Sequence, residues 1–477
     1  MSKPEFDLCV IGGGAAGLVV AAGGTGLGAK VALAEKRALG GDCLRYGCVP
    51  SKALLHSAKV AHTLRSADRA AIGGCRPGID LAQVMERVAG VVRTIEPHDS
   101  PDRFRSMGVD VIFGAGGFVD PARFEIDGKP LTAKRFVIAT GSRPAIPPIE
   151  GLDRVPYLTN ETVFDLREPV ARLAILGAGP IGIEMAQAFR RLGSDVEVVD
   201  IAPQILSKED PDLADIVREP LIREGIRFHL EHTAVRVEGR AGDIRLLIRN
   251  RSGEESRIEC SHLLIAVGRK PNLEDLGLES AGVMLEKGRL KLDARLRTTN
   301  PRIYACGDVA GPYLFTHMAE HQAGVVLKNT LFHIPSRADT RTVPWCTFTD
   351  PELARVGLSE REARDRAIPH RVYAFDFADL DRAVTDDQAT GRAKLIATPR
   401  GRILGAAIAG AHAGELIHEY ILAMRKNLKV SDLAGTIHIY PTLAQINRRL
   451  AEQRLKAGLT PTAKRWLKRL FGLRGGR

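Results

Sequence analysis

Cys43 and Cys48 stand in the run Gly40-Gly41-Asp42-Cys43-Leu44-Arg45-Tyr46-Gly47-Cys48-Val49-Pro50-Ser51-Lys52. On a regular helix of roughly 100° per residue, two positions five steps apart face about 140° away from each other. The two sulfurs can meet only across an irregular turn ahead of a helix start. Gly47 gives the backbone freedom for that turn, and Pro50 suits the first turn of the helix, where a missing N–H is harmless. Cys48 then lies at the positive end of the helix, which stabilises a thiolate and lowers its pKa. The chemistry implied is dithiol–disulfide redox. A zinc site would want two further soft ligands at short spacing, and no second Cys/His cluster lies nearby. A purely structural pair stays open on the cysteines alone. The flanking glycines, Pro50 and two nucleotide motifs weigh toward the redox reading.

The elements that must position these residues follow a repeated plan. Phe6-Asp-Leu-Cys-Val-Ile11 reads as a buried strand running into Gly12-Gly-Gly14-Ala-Ala-Gly17, a small-residue helix, and a second strand from Val31 toward Glu35. Near mid-chain, Leu173–Leu176 leads into Gly177-Ala-Gly179-Pro-Ile-Gly182, a helix, and the strand Val196–Val199 ending at Asp200. In each unit the acid stands 18 positions after the third glycine. Strand–GxGxxG–helix–strand–acid is a dinucleotide-binding pattern, and it occurs twice. The first glycine permits the tight turn, the second admits the pyrophosphate, and the third lets helix and strand pack closely. Glu35 and Asp200 are placed to accept ribose hydroxyls. Asp200 would repel a 2′-phosphate, and no Arg follows closely, which favours NADH over NADPH. A further echo pairs Phe136-Val-Ile-Ala-Thr140-Gly141-Ser-Arg-Pro144 with Leu263-Leu-Ile-Ala-Val-Gly268-Arg-Lys-Pro271, both buried strands ending in glycine turns. Tyr304-Ala-Cys-Gly-Asp308 is another strand end, delivering an acid to a turn.

The chain has 477 residues, 44% apolar and 26% charged, which predicts two to four globular domains. Seven cysteines over this length do not make a secreted disulfide framework. Cys9, Cys75, Cys260, Cys306 and Cys346 have no close sequence partner and are expected to be reduced and mostly buried. No apolar run approaches the ~18 residues of a membrane span, and the N-terminus shows no signal peptide. A cytoplasmic location is expected. The formal charge is +11, but ten Lys/Arg against Glu452 alone fall between Arg448 and Arg477, so that stretch carries +9 and the rest +2. Nucleic-acid binding is not indicated. Beyond residue 340, strands at 343–348, 371–377, 393–397 and 403–409 and helices at 414–425 and 443–455 are predicted, an α+β block without a nucleotide motif.

Taken together, the CLRYGCVPSK stretch, the two glycine motifs, Ala139-Thr140-Gly141 and Cys306-Gly307-Asp308 resemble the flavin-dependent pyridine nucleotide-disulfide oxidoreductases over about residues 5–455. That family includes dihydrolipoyl dehydrogenase, glutathione reductase and mercuric reductase. The resemblance implies an α/β chain of two Rossmann-type domains followed by an α+β dimerisation domain, acting as a homodimer. FAD would occupy residues 1–150 and 272–340, NAD(P)H residues 151–271, and the dimer interface residues 341–455, with a basic tail at 456–477. It also implies that Cys48 is the flavin-side thiol, Cys43 the interchange thiol, Lys52 and Glu184 the pair beside the flavin, and Asp308 the ribityl partner. His317 would lie near the flavin's pyrimidine edge.

Where relatives carry a His-Pro-Thr acid/base followed by Glu, this chain has Tyr440-Pro441-Thr442 and Gln445. A phenol with a pKa near 10 is a poor base at neutral pH. His438, two residues away, could substitute only if the loop were rebuilt. The tyrosine resembles mercuric reductase, but residues 471–477 contain no cysteine pair of the kind that delivers mercury, and no N-terminal metal-binding domain is seen. Pro180 stands where several relatives have a tyrosine at the nicotinamide pocket. The expected function is electron transfer from NADH through FAD and Cys43/Cys48 to a disulfide or thiophilic metal. The alternatives are dihydrolipoyl dehydrogenase, or a redox-sensing or electron-delivering subunit docked through its tail. In that tail, Trp466, Leu467, Leu470 and Phe471 share one helical face opposite cations, a pattern for peripheral membrane or partner contact; a disordered tail, or one packed on its own dimer, is the other reading.

Overall fold

A computed structural model describes residues 3–332 and 334–474; the last three positions of the basic tail, 475–477, lie outside the described residues. The first parallel sheet has strand order 109–113, 31–35, 6–11, 129–138, with Ile303–Ala305 joining the far side of 129–138. Phe6–Ile11 is buried at five of its six positions, as expected for a parallel strand covered on both faces. Strand Ile303–Ala305 shows why the chain returns to this unit after residue 271: it completes the first sheet in register with Phe136–Ile138. A second parallel sheet, in the order 227–230, 195–200, 172–176, 262–265, repeats the plan. Each unit also carries an antiparallel extension, 116–126 in the first and 232–260 in the second.

The two echo motifs join the units directly. Ser142–Pro144 pairs antiparallel with Arg269–Pro271. The helix Ala15–Gly26 is rich in small residues because it packs against Thr316–Leu331, and a Cβ at Gly23 would stand 2.6 Å from Leu327. The redox helix Cys48–Arg65 packs Ala53, Leu54 and Ala58 into the same core as Ile183 and Ala186 of the helix Pro180–Arg191.

Residues 344–410 form a five-stranded antiparallel sheet in the order 344–347, 352–357, 403–410, 392–397, 371–376. The predicted helix at 414–425 is two short helices, Ala413–Leu416 and His418–Arg425. A tighter turn interrupts them, with the Tyr420 N–H donating to the Ile417 carbonyl at 3.0 Å. The next long helix runs later than its sequence pattern suggests, over Gln445–Gly458.

A buried charge cluster ties this C-terminal sheet to the second nucleotide unit. The Lys394 ammonium lies 3.1 Å from Asp210, 3.1 Å from Asp212 and 2.7 Å from Glu360, with Lys394 and Asp210 almost fully buried. It fixes the segment whose preceding residues, Leu206 to Glu209, line the large central cavity. Lys394→Met should lower stability by about 3–5 kcal/mol, because it leaves a buried carboxylate without its cation. Urea unfolding midpoints of wild type and variant provide the check.

Candidate functional site

The glycine turns are built alike. Gly12 and Gly177 have φ of 110° and 109°, and a side chain on either would collide with a carbonyl oxygen, of Ala139 and Ala266 respectively. At Gly17 and Gly182 a Cβ would overlap the carbonyl oxygens of those same turn glycines, so only hydrogen lets the helix approach the strand. At Gly179 no protein atom lies within 4 Å of an added Cβ, and at Gly14 only Gly41 approaches, at 3.8 Å. Both turns therefore present open backbone at a helix N-terminus, the arrangement a pyrophosphate requires.

The acids at the strand ends do more than wait for a ribose. Glu35 accepts the Gly13 N–H at 2.7 Å and the Arg37 N–H at 2.7 Å. Asp200 accepts the Ala178 N–H at 2.6 Å and the Ala202 N–H at 2.7 Å. Each carboxylate thus braces its own turn and keeps further lone pairs for hydroxyl donors.

Asp308 sits in a polar cluster that the motifs did not reveal. Its carboxylate accepts the Ser142 hydroxyl at 2.5 Å, and burial pushes its pKa up against the pull of that bond and of Arg269. Arg269 donates to the Ser142 hydroxyl at 2.7 Å, to the Ser142 carbonyl at 2.8 Å, and pairs with Asp42 at 3.1 Å. Asp42 also accepts from Asn160 at 3.1 Å. Thr140 and Asn272 exchange two hydrogen bonds of 2.7 and 2.9 Å across the Gly141 turn. Gly141 and Gly268 line the same cavity.

That cavity, of about 2200 Å³, reaches from the first glycine turn to Gly179 and Pro180 of the second and contains both Cys43 and Cys48. It fits an extended flavin dinucleotide on the first turn and a nicotinamide approaching from the second. Cys43 lies in the short helix Gly41–Arg45, and Cys48 is the first residue of the next helix. At Gly47 between them a Cβ would be crowded, 3.0 Å from both the carbonyl and the carboxylate of Asp42. Both thiols are free. The hydrogen bond with Cys43 is the main cause pulling Cys48 down to about 6, opposed by burial and helped by Thr316, 3.6 Å away, and by the Lys52 cation. The same hydrogen bond, with burial, pushes Cys43 well above the ordinary thiol range. The pair therefore favours the thiolate on Cys48 and the retained proton on Cys43.

Lys52 and Glu184, 132 positions apart, meet at 2.8 Å. Glu184 is nearly buried and also accepts the Phe348 N–H at 2.9 Å. The Lys52 ammonium lies 4.5 Å over the Phe348 ring. Cys346, among the residues expected to be mostly buried, instead borders this group half-exposed. Its thiol is raised by burial first, and by the nearby Glu352 and Glu184 carboxylates. Cys75 is also exposed, while Cys9, Cys260 and Cys306 are buried.

His317 is the second residue of the helix Thr316–Leu331, but its Nε2 donates to the Pro344 carbonyl at 2.8 Å and its ring stacks on Phe315. Tyr440 is exposed and donates its hydroxyl to Asp381 at 3.0 Å; that bond raises its pKa. Both ring nitrogens of His438 are engaged. Its Nε2 donates to Glu419 at 3.0 Å, its Nδ1 meets the Thr436 carbonyl at 3.0 Å, and its side chain is only 7% exposed. The described residues contain no metal-ligand cluster and no helix long and apolar enough to cross a membrane.

Comparison with known proteins adds an independent line. The family described as pyridine nucleotide-disulphide oxidoreductase matches residues 6–323, and its dimerisation domain matches residues 343–450. The chain is 34% identical to mercuric reductase of Staphylococcus aureus, over 92% of this chain and 81% of that protein. It is 37% identical to dihydrolipoyl dehydrogenase of Chlamydia trachomatis, over 96% and 97% respectively. Among solved structures, the Cu(II) complex of the HOCl-induced flavoprotein disulfide reductase RclA from Escherichia coli superposes with a TM-score of 0.84 at 28% identity, covering 95% of this chain and 100% of that one.

With both thiols reduced, thiolate ultraviolet absorbance, taken as wild type minus Cys48→Ser, should titrate with a midpoint of about 6. The thiolate is present above that pH and lost below it. Thr316→Val and Lys52→Met should each move the midpoint upward, since each removes a group that stabilises the anion. A midpoint near the ordinary value of about 8.5 would contradict the assignment.

Proposed function

Because the chain belongs to the pyridine nucleotide-disulphide oxidoreductase family, we propose that it moves electrons from NADH to a thiophilic metal ion or small disulfide through Cys43 and Cys48. The family's members are FAD-binding oxidoreductases that use NAD(P)H. The Gly12–Gly17 turn, Glu35, Thr140, Gly141 and Asp308 would hold FAD. The Gly177–Gly182 turn, Asp200 and Gly268 would hold the nicotinamide nucleotide. When bound, FAD supplies the two-electron relay between nicotinamide and disulfide.

The chain's own residues do the rest. Reduction of the Cys43–Cys48 disulfide takes two electrons and two protons to give two thiols. Cys48, at its helix N-terminus beside Thr316 and Lys52, gives up its proton most readily, while Cys43 keeps one. The Lys52 cation, held by Glu184, stabilises negative charge that develops next to it. The dithiol then re-forms its disulfide by giving two electrons to an acceptor: one divalent ion reduced by two, two ions reduced by one each, or one external disulfide cleaved to two thiols.

The observation that carries the metal-directed reading is the Tyr440–Asp381 pair. A phenol whose one proton is committed to a carboxylate does not serve as a base toward a dithiol substrate, and only on leaving Asp381 can it donate a hydrogen bond to a thiolate or its metal adduct. The 34% identity to a mercuric reductase supports this reading, and the relative solved with Cu(II) adds copper to the candidate acceptors. The 37% identity to a dihydrolipoyl dehydrogenase supports a second reading, lipoamide chemistry that tolerates Tyr440. The dimerisation domain supports a homodimer, and in the proposed assembly this loop would reach the partner's dithiol.

Steady-state turnover with NADH and Hg(II), Cu(II), lipoamide or glutathione disulfide separates these readings. Metal reduction should exceed disulfide reduction, and Cys48→Ala should cut it by roughly a thousandfold while FAD stays bound. Faster lipoamide turnover than metal turnover would favour the second reading. NADH should be preferred to NADPH by more than about tenfold because Asp200 repels a 2′-phosphate. Asp200→Ala should narrow that ratio, and an unchanged ratio would remove Asp200 from nucleotide selection.

A further inference from the structure

The stretch following the helix Gln445–Gly458 folds into a separate helix, Pro461–Phe471. Thr460 caps it, accepting the Ala463 N–H at 3.1 Å; Pro461 takes the first helical position, and Gly472 closes it in the left-handed region at φ 61°. No residue of this helix is buried. At roughly 100° per residue, Trp466, Leu470, Ala463, Leu467 and Phe471 fall within an arc of about 140°. Lys464, Lys468, Arg465 and Arg469 fill the opposite arc without mixing. Trp466, Leu470 and Phe471 are 58%, 68% and 69% exposed. Between Gln453 and Arg474 there are seven Lys or Arg residues and no acid.

A helix this short is marginal in water by itself, and among the described residues its apolar face joins no hydrophobic core. We propose that it lies flat on a membrane surface bearing anionic lipids. Trp466, Leu467, Leu470 and Phe471 enter the acyl boundary while Lys464, Arg465, Lys468 and Arg469 meet the headgroup phosphates and carboxylates. Eleven residues span about 16 Å, too little to cross a bilayer core of about 30 Å. Charge decides between occupants. Cations flank both edges of the apolar stripe, so a second copy laid face to face would set cation beside cation with no acid to neutralise it. An anionic surface neutralises Lys464, Arg465 and Arg469 at once. Two such helices on a homodimer bind with added avidity. The inference is independent of which acceptor the dithiol reduces.

The test uses the full-length holoenzyme, co-sedimented with phosphatidylcholine vesicles and with vesicles of roughly 7:3 phosphatidylcholine to phosphatidylserine, at about 0.05 and 0.5 M salt. Binding to the anionic vesicles should be at least about tenfold tighter and should weaken at the higher salt. The variants Leu470→Glu/Phe471→Glu and Lys464→Glu/Arg465→Glu/Arg469→Glu should each lose at least about tenfold. Both should keep wild-type NADH-driven turnover, so a folding failure is recognised. Absence of partitioning by the wild type, equal binding to both vesicle types, or full binding by either variant would overturn the proposal. So would a vesicle-free, higher-order assembly abolished by Leu470→Glu/Phe471→Glu, which would assign the face to a second copy.

Discussion

The ion pair between Lys52 and Glu184 is the contact on which the redox centre depends. Glu184 is a nearly buried carboxylate on the helix of the second nucleotide unit. Burial of such a charge is tolerable only with a cation and a further donor beside it. Lys52 supplies the first at 2.8 Å and the Phe348 amide the second at 2.9 Å. The three residues come from three parts of the fold: the redox helix, the second nucleotide unit and the C-terminal sheet. Wherever this pair forms, the start of the redox helix is fixed, and with it Cys48. The Lys52 charge then lowers the pKa of Cys48. One contact thereby fixes the position of the thiol and adds to the Cys43 hydrogen bond that chiefly lowers its pKa.

Around this pair the two nucleotide units are locked by backbone rather than by apolar surface alone. The ladder between Ser142–Pro144 and Arg269–Pro271 brings Arg269 to Ser142 and Asp42. Asp42 precedes Cys43 directly, so the ladder that joins the units also orients the turn bearing the dithiol. The Lys394 cluster performs the same service at the other end of the cavity, holding the segment that follows Leu206 against the C-terminal sheet. Two borders of the cavity are therefore cross-braced.

Local patterns in the chain reveal a large part of this. The glycine turns, the buried parallel strands and the helix start at Cys48 each depend on a few consecutive residues whose steric demands admit few alternatives, such as Gly17 against the Gly12 carbonyl. The pairing of Lys52 with Glu184 is legible only through family resemblance, since 132 positions separate them. The Arg269–Asp42–Ser142–Asp308 cluster is not legible as a cluster, because its members lie in separate segments until the sheet edge assembles. Arg269 was visible as the cation after Gly268, and that was the available signal. Loop conformation explains the rest. Nothing in the run His438–Thr442 shows that Glu419 captures the histidine while Tyr440 stays exposed against Asp381.

In the proposed route, electrons reach a dithiol whose neighbouring loop offers Tyr440 where relatives carry a histidine base. Tyr440 donates where a base would accept, and His438 is fully engaged elsewhere. The central claim is that the Cys43–Cys48 pair takes up electrons from NADH, and anaerobic titration of the holoenzyme with NADH tests it most directly. Flavin and disulfide are each two-electron couples, so the wild type should consume two equivalents of NADH per subunit and Cys43→Ser/Cys48→Ser only one. One equivalent in both proteins would contradict the account.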